Sequence, residues 1–270
     1  MRIWKWSVGM SMVPLFLCAH VQADVPALAK LKAAAEAGDS EAQYEFALKF
    51  GTGTREWRQW LESSAAQGNG HAEDELAWDL NWQNFAVHFA DEKMRATYLK
   101  SNAEGMRKAL LLAASAADKG FPRSRLLLGM AFANGYLVPI DQAEAYKWLK
   151  LGETGSFIAD IAAAATRDRL LKETPLAAIQ DGELRAANYR PGSTFIGIRS
   201  QLVAPLLKLT GMASMNGKRI ALIGGKKLNE NQDTVLEVGG VSVALHVVSI
   251  SDKEVRICLP PNSQQYVLRP

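Results

Sequence analysis

Three times in this chain a run of small residues leads into a glycine, and the spacing that follows is the same each time. The segments are AAAEAGDSEAQYEFALKFGTG from Ala33, SSAAQGNGHAEDELAWDL from Ser63 and AASAADKGFPRSRLLLGMAFANG from Ala113. Their glycines are Gly38, Gly68 and Gly120. Four residues on stands a small residue (Ala42, Ala72, Ser124), and four further on a large apolar one (Phe46, Leu76, Leu128). A degenerate fourth copy, WLKLGETGSFIADIA, puts its turn at Gly155. Small residues let two helices approach closely, and a glycine can end the first helix in a left-handed cap. Large residues at i, i+4 after the turn then fill the groove between neighbouring pairs. No single pair buries its apolar face alone, so the pattern predicts helical hairpins stacked as a solenoid. The glycines stand 30, 52 and 35 residues apart. The irregularity falls inside the repeats, where the loop is clipped in FGTGTREW and enlarged between Ala90 and Gly105.

The beginning of the chain reads MRIWKWSVGMSMVPLFLCAHVQADVPA. Arg2 and Lys5 form a basic start, an apolar stretch runs from about Val8 to Ala19, and Val21-Gln22-Ala23 offers small residues where a signal peptidase reads. Residues 1–23 are expected to be a leader cut before Asp24. The competing reading is a membrane anchor, for which the stretch is short, since a span needs roughly 20 residues. Leu17 before Cys18 does not suit a lipidation site. No other segment approaches a membrane span, so the mature chain is expected in the periplasm or outside the cell. Cys18 leaves with the leader, and Cys258, between Ile257 and Leu259, reads as a small buried hydrophobe or, less readily, a reactive thiol.

Loss of Arg2 and Lys5 takes the formal net charge from +3 to +1. A nearly neutral surface argues against nucleic acid as a partner, because phosphate binding needs a positive field. Alanine is abundant up to about Ala187, while β-branched residues and glycine dominate after Gly211. Strands are expected at about Leu206 to Met212, Arg219 to Ile223, Val235 to Val238, Val241 to Ile250, Glu254 to Leu259 and Tyr266 to Leu268. Asn216-Gly217, Gly224-Gly225, Gly239-Gly240 and Ser251-Asp252 punctuate them as turns. Six short strands can close into a small antiparallel barrel or sandwich. The expected organisation is therefore a helical repeat domain over 24–190, a linker over 191–204 and a small β domain over 205–270.

Chemistry is sparse. The mature chain has His71, His88 and His246, and none has Cys, Asp or Glu at a metal-ligand spacing above background. His88 with Asp91 and Glu92 comes nearest. Gly224-Gly225-Lys226-Lys227 lacks the Ser/Thr and the helix of a phosphate loop and reads as a hairpin turn. No catalytic residue, cofactor or metal is expected, and the chain is not read as an enzyme. Trp78, Trp82, Phe85 and Phe89 stand at i, i+4, i+7 and i+11 and share one helix face. They form either a partner-binding patch, where buried aromatics dominate interface energetics, or a face packed against the inserted loop or an adjacent helix. Trp60 and Trp148 are expected in the core.

The run LLLGMAFANGYLVPIDQAEAYKWLKLGETG from Leu126 to Gly155 resembles the Sel-one-like repeat family, relatives of the tetratricopeptide repeats. Its LG, G-Y-L loop, D-x-x-x-A-x-x-W run and closing glycine fall in the family's order. REWRQWLESSAAQGNGHA from Arg55 to Ala72 matches through Trp60, Ala65-Ala66 and Gly68. The resemblance covers roughly residues 27 to 190, although no copy is complete. It implies a TPR-like scaffold or adaptor presenting a curved surface to protein partners. The helix around Asp160 to Leu171 and TPLAAIQDGELRAANYRP then resemble the capping helices of such arrays, with Pro191-Gly192 closing it. Leu207 to Gly211, Arg219 to Ile223 and Val247 to Ile257 resemble small periplasmic domains of the type II secretion C-protein and the pilus-assembly lipoprotein PilP. The departure is Asn231-Gln232-Asp233, where a glutamate-glycine is usual. That second resemblance implies binding to an envelope protein through an exposed sheet edge.

Overall fold

The structure is a computed structural model, and it describes residues 16–83, 93, 97, 101–153, 157–192, 194–215, 217–238, 241–260 and 265–270. The chain forms two compact units, Met1–Asn69 and Gly70–Pro270. The first holds α1 (Phe16–Glu36), α2 (Ser40–Ala47) and α3 (Arg55–Ala65). Helix α1 runs through the expected leader cut before Asp24. No helix of the described residues is long and apolar enough to cross a membrane.

The first unit shows how a repeat is built. At the end of α1, Gly38 has φ +96°, the Gly38 amide donates to the Ala35 carbonyl (3.1 Å) and the Asp39 amide to that of Ala34 (3.1 Å). This pair of bonds is the Schellman closure of a helix end, which a glycine in the left-handed region permits. Asp39 then starts α2 by accepting from the Ala42 amide at 2.8 Å, and Thr54 starts α3 by accepting from that of Trp57. Such caps each contribute about 1 kcal/mol. Phe46 meets Phe50 and Trp60 edge-on, at 5.3 and 5.2 Å between ring centres. Trp60, expected in the core, is only half-buried, and the fully buried tryptophan of α3 is Trp57. On this helix Trp57, Leu61 and Ala65 turn inward at i, i+4, i+8, which leaves Trp60 at the border of the face. Ser64 donates to the Ser40 carbonyl at 2.6 Å, and Gln67 to the Gln43 side chain at 2.8 Å.

The second unit continues with α4 (Gly70–Gln83), α5 (Ala103–Asp118), α6 (Pro122–Asn134), α7 (Gln142–Leu151), α8 (Phe157–Glu173), α9 (Leu176–Ala187) and α10 (Thr194–Val203). Seven strands follow: β1 (Leu209–Met215), β2 (Lys218–Ile223), β3 (Lys226–Asn229), β4 (Gln232–Val238), β5 (Val241–Ile250), β6 (Val255–Cys258) and β7 (Gln265–Leu268). The Schellman closure recurs at Gly68 and at Gly120, each with the same two backbone bonds. Ala72, Leu76, Ser124 and Leu128 are all buried, as the repeat spacing requires. The fourth turn, at Gly155, lies outside the described residues.

Two glycines set the helix separation in the last hairpin. A Cβ on Gly129 of α6 would stand 2.7 Å from Leu149 Cγ, and one on Gly152 would stand 2.6 Å from Leu126 Cδ2. Each glycine thus receives a leucine of the facing helix. Trp148 is fully buried beside them.

The strands form two antiparallel sheets, β1-β2-β3 and β4-β5-β6-β7, and not a closed barrel. The ladder breaks between β3 and β4. There Asn231 takes a left-handed φ of +57°, and the Gln232 side chain accepts the Asn229 amide at 2.8 Å. Strand β3 is unexpected, because Lys226-Lys227 reads as part of a turn. The turn itself is only Gly224-Gly225, with φ +56° and +77°, and Ile223 pairs directly with Lys226. Positive φ at both central positions is the two-residue hairpin geometry. Gly239-Gly240 lies outside the described residues, with Val238 paired to Val241 on either side. Strand β1 begins three residues later than expected, because Ala204–Leu206 close a 3-10 turn around Pro205.

The segment read as a linker, 191–204, holds α10. Ile198, Leu202 and Val203 are buried at i, i+4, i+5, and the buried Arg107 of α5 donates to the Leu202 carbonyl at 3.2 Å. One continuous apolar core runs from Met106 and Leu110 on α5 through Leu202, Leu207 and Leu209 to Val247 and Ile257 on the sheet. Helices and strands of this unit therefore fold around a single interior.

Candidate interaction surface

Of the aromatic stripe, only the first member has a described side chain. Trp78 on α4 is half-buried and packs against the core, with the Arg123 guanidinium 5.9 Å from its ring centre. Trp82 belongs to α4, but its side chain lies outside the described residues, as do Phe85 and Phe89 and the histidine group His88, Asp91, Glu92. The structure thus places Trp78 among its own neighbours.

What anchors Trp78 is a set of charges one turn earlier. Glu73, Asp74 and Glu75 follow one another at the start of α4. Glu73 and Asp74 are each only 5% exposed. Glu73 accepts from Ser115 (3.0 Å) and Lys119 (2.6 Å) of the α5 end. Asp74 accepts from the Ser124 amide (3.1 Å), the Ser124 hydroxyl (2.6 Å) and Arg123 (2.7 Å). Helix α6 has Phe121 at its N-cap and no side-chain cap of its own. Asp74 supplies that cap from another helix, where a carboxylate also meets the positive end of the helix dipole. Burial on its own lowers the affinity of Arg123 for its proton, but Asp74 and Glu75 outweigh it, and the guanidinium is held above its ordinary pKa.

A second polar group ties α7 to α9. Asp141 caps α7 by accepting from the Glu144 amide (2.9 Å) and also accepts from Arg185 (2.9 Å). Arg185 reaches Glu144 at 3.3 Å and Asp181 at 2.7 Å. Glu144 takes in addition the Trp148 indole N–H at 2.9 Å and the Lys147 ammonium. Burial would raise the Asp141 pKa, but the Glu144 amide and Arg185 bring it below the ordinary value. Hydrogen bonding to Asp141 is the main reason that Arg185 is held above its own. Tyr189 closes the group, donating to Asp118 at 2.7 Å and standing 5.3 Å from the Trp148 ring.

These groups are internally satisfied and oriented along helix contacts, where they position elements. Among the described residues no three His, Cys, Asp or Glu side chains converge to hold a metal ion. A polar cleft of ≈ 650 Å³ at the end of the first sheet is lined by Ser214, Lys218, Arg219, Asn229 and Glu230. His71 meets Phe121 edge-on at 4.8 Å, and His246 holds Asp233 at 2.9 Å. Cys258, read from sequence as buried or reactive, is half-buried and free.

Among the described residues, large apolar side chains face solvent on the first unit, at Leu28 and Leu48, on the sheet, and most openly at the end of the helical array. On α9, Leu176 is 71% and Leu184 62% exposed, two turns apart on one side. The opposite side carries Ile179 and Gly182, which pack on α7; a Cβ on Gly182 would stand 2.7 Å from the Ala143 carbonyl oxygen. Ile140, in the loop before α7, is 65% exposed, and Leu171, near the end of α8, is 49% exposed. On the sheet, Val235 and Val267 are exposed on β4 and β7. The α9 face escaped the sequence reading. TPLAAIQDGELRAANYRP reads there as a polar cap, and the signal that could have found it is the i, i+4, i+8 spacing of Leu176, Gln180 and Leu184.

No family model matches the chain, and no curated protein does. Among solved structures, the chain is similar to a protective antigen present in uropathogenic Escherichia coli strains that displays an SLR fold. The two share 18% identity with a TM-score of 0.36, over 70% of this chain and 45% of that one. The chain thus spans less than half the length of that protein, and a likeness at this TM-score assigns neither fold nor activity.

Proposed function

We propose that this chain is a non-catalytic protein-binding scaffold of the bacterial cell envelope, exported through the leader at 1–23. The observation that carries the reading is the apolar outer face of α9. The inner faces of the described repeat helices are filled, whereas Leu176 and Leu184 stand in solvent at the end of the array. Exposed large apolar residues grouped on one element are a feature of protein interaction sites. The repeated hairpins supply a rigid frame for such a face. The partner is read as an envelope protein.

The test uses the full chain, because helices and strands of the second unit share their interior. In-cell crosslinking of the wild type is compared with Leu176→Glu/Leu184→Glu and with Val235→Glu/Val267→Glu. All four residues are exposed, so each variant should keep its melting temperature. The scaffold reading expects a crosslinked envelope protein that is lost in the α9 variant. A partner kept by the α9 variant and lost in the sheet variant would favour a secretion or pilus-assembly role through the strands. No specific crosslink with the wild type would defeat both. Fractionation of cells expressing the chain tests export: recovery in the cytoplasm with residues 1–23 intact would overturn it.

A further inference from the structure

Charge is spread unevenly along this chain. Residues 208–230 hold five basic side chains, Lys208, Lys218, Arg219, Lys226 and Lys227, against Glu230 alone, a formal +4, whereas the whole chain carries +3. The excess therefore sits on β1, β2 and β3, and everything else together is slightly acidic. The pairing registers decide which of these charges share a face. Lys218, Ile220 and Leu222 alternate along β2 with the buried Ala221 and Ile223, so they point away from the core. On β3 the register partners of Ile220 and Leu222 are Asn229 and Lys227, while Leu228 points inward. Lys208, just before β1, stands between the buried Leu207 and Leu209 and turns outward as well. Lys208, Lys218 and Lys227 are exposed, and Ile220 and Leu222 between them are half-buried, outside the core that takes Met212 of β1. Arg219 is held by Asp252 at 3.2 Å, and Lys226 donates to the Val235 carbonyl at 2.8 Å. Among the described residues no carboxylate pairs with the other three lysines.

We propose that the outer face of the β1-β2-β3 sheet docks on an anionic lipid surface, with Lys208, Lys218 and Lys227 against headgroup phosphates and Ile220 and Leu222 at the boundary between them. Charge complementarity calls for a negative partner, and the residue types narrow its class. A lysine is a flexible point charge that suits a fluid array of phosphates, whereas one fixed phosphate or carboxylate is better gripped by the fork of an arginine. The arginine of this sheet is already engaged by Asp252. Lysine stems also lie along apolar surface while their ammonium groups reach the headgroups. A single-stranded nucleic acid would stack its bases on aromatic rings, and this face offers the aliphatic Ile220 and Leu222 instead. A folded acidic protein would anchor a large side chain in an apolar pocket. The cleft that Lys218 lines is polar, with Ser214, Asn229 and Glu230 beside it.

The test is co-sedimentation of the full chain with vesicles of equal parts phosphatidylglycerol and phosphatidylcholine, and with vesicles of phosphatidylcholine alone. A lysine near an anionic surface contributes about 5-fold to partitioning. Lys208→Gln/Lys218→Gln/Lys227→Gln should therefore bind the anionic vesicles ~100-fold more weakly than the wild type, with an unchanged melting temperature. Lys30→Gln/Lys49→Gln/Lys172→Gln removes the same charge from exposed positions elsewhere and should bind nearly as the wild type does. Residues 1–23 are common to all three proteins, so any contribution of that apolar stretch cancels. At ~1 M salt, where the screening length is about 3 Å, the preference of the wild type for anionic vesicles should vanish. Equal losses in the two triple variants, a wild type that does not distinguish the vesicles, or a preference that survives ~1 M salt would each overturn the proposal. Tighter lysine-dependent binding to polyglutamate or duplex DNA than to the vesicles would also overturn it and assign the face to an acidic macromolecule. Leu176 and Leu184 are intact throughout, so lipid binding by the sheet and protein binding by α9 can fail separately.

Discussion

The helices and the strands of the second unit share one interior, yet they are held in place by different means. The helices are fixed by close contacts and buried charge. Gly129 and Gly152 each accept a leucine from across the hairpin, and Asp74 joins α4 to the start of α6. Among the described residues the strands bury no charge, and their glycine contacts are looser, with a Cβ on Gly211 standing 3.2 Å from Leu222. Their buried faces are aliphatic, and their ion pairs, such as Arg256 with Glu254, stand at the surface. Specificity in the helical part is therefore concentrated at a few positions, while in the sheets it is spread over an alternation.

The contrast can be broken most strongly at Asp74. Replacing it with leucine removes the cap of α6, leaves Ser124 without its partner and Arg123 with Glu75 alone, at about 3 kcal/mol. Chemical denaturation should show that loss, and a change below about 1 kcal/mol would mean the charges are dispensable. Next comes Leu202, where the two parts meet. Leu202→Ala should cost about 2–3 kcal/mol and should lower hydrogen-exchange protection in α6 and β5 together. Loss confined to the strands would mean that the sheets fold on their own. Gly129→Ala should destabilise by about 1–2 kcal/mol through overpacking against Leu149. Gly105→Ala, where a Cβ meets nothing within 4 Å, should instead stabilise by about 0.5–1 kcal/mol. Equal thermal shifts for the two glycines would undo the close-contact argument.

The smallest effect concerns acid. The folded state holds the Asp141 carboxyl below its ordinary value of 3.8, so its contribution is complete at neutral pH and is lost as the pH falls below that value. Arg185 is partly exposed, and its share is about 0.5 kcal/mol. Arg185→Met should lower stability by that amount at pH 7 and by less at pH 3. An unchanged difference between the two pH values would show that the arginine acts through packing alone.

Much of the helical part could be read from the chain because its signals are local. Gly38, Gly68 and Gly120 each end a helix whose next turn begins within two residues, so spacing and geometry coincide. The span of β5 was also legible, being a ten-residue apolar alternation. What escaped was whatever depends on distant partners. Asp74 caps a helix 50 residues away in sequence, and no local pattern announces that. Helix α10 lies between Pro191-Gly192 and Pro205, whose punctuation hides its three buried residues. Strand β3 carries a single inward side chain, Leu228, among lysines and asparagine. Of the candidate site, the tryptophan stripe was legible as a helix face. Its engagement through Arg123 and the exposure of α9 depend on which faces the neighbours leave uncovered.

The single interior also orders events in time. A chain that emerges from its N-terminal side first can finish α4, α5 and α6 locally, but their shared core includes Ile257 and Leu268, which arrive last. Until then Met106, Leu110 and Leu202 lack part of their cover. Completion of the helical frame thus waits on contacts of high sequence separation, the slow class in folding. A product cut short before β7 would leave the shared core without Leu268 and the edge of β6 without its partner strand. Its fate would be aggregation or proteolysis, so the outer face of α9 stands on a finished frame only after the last strand has docked.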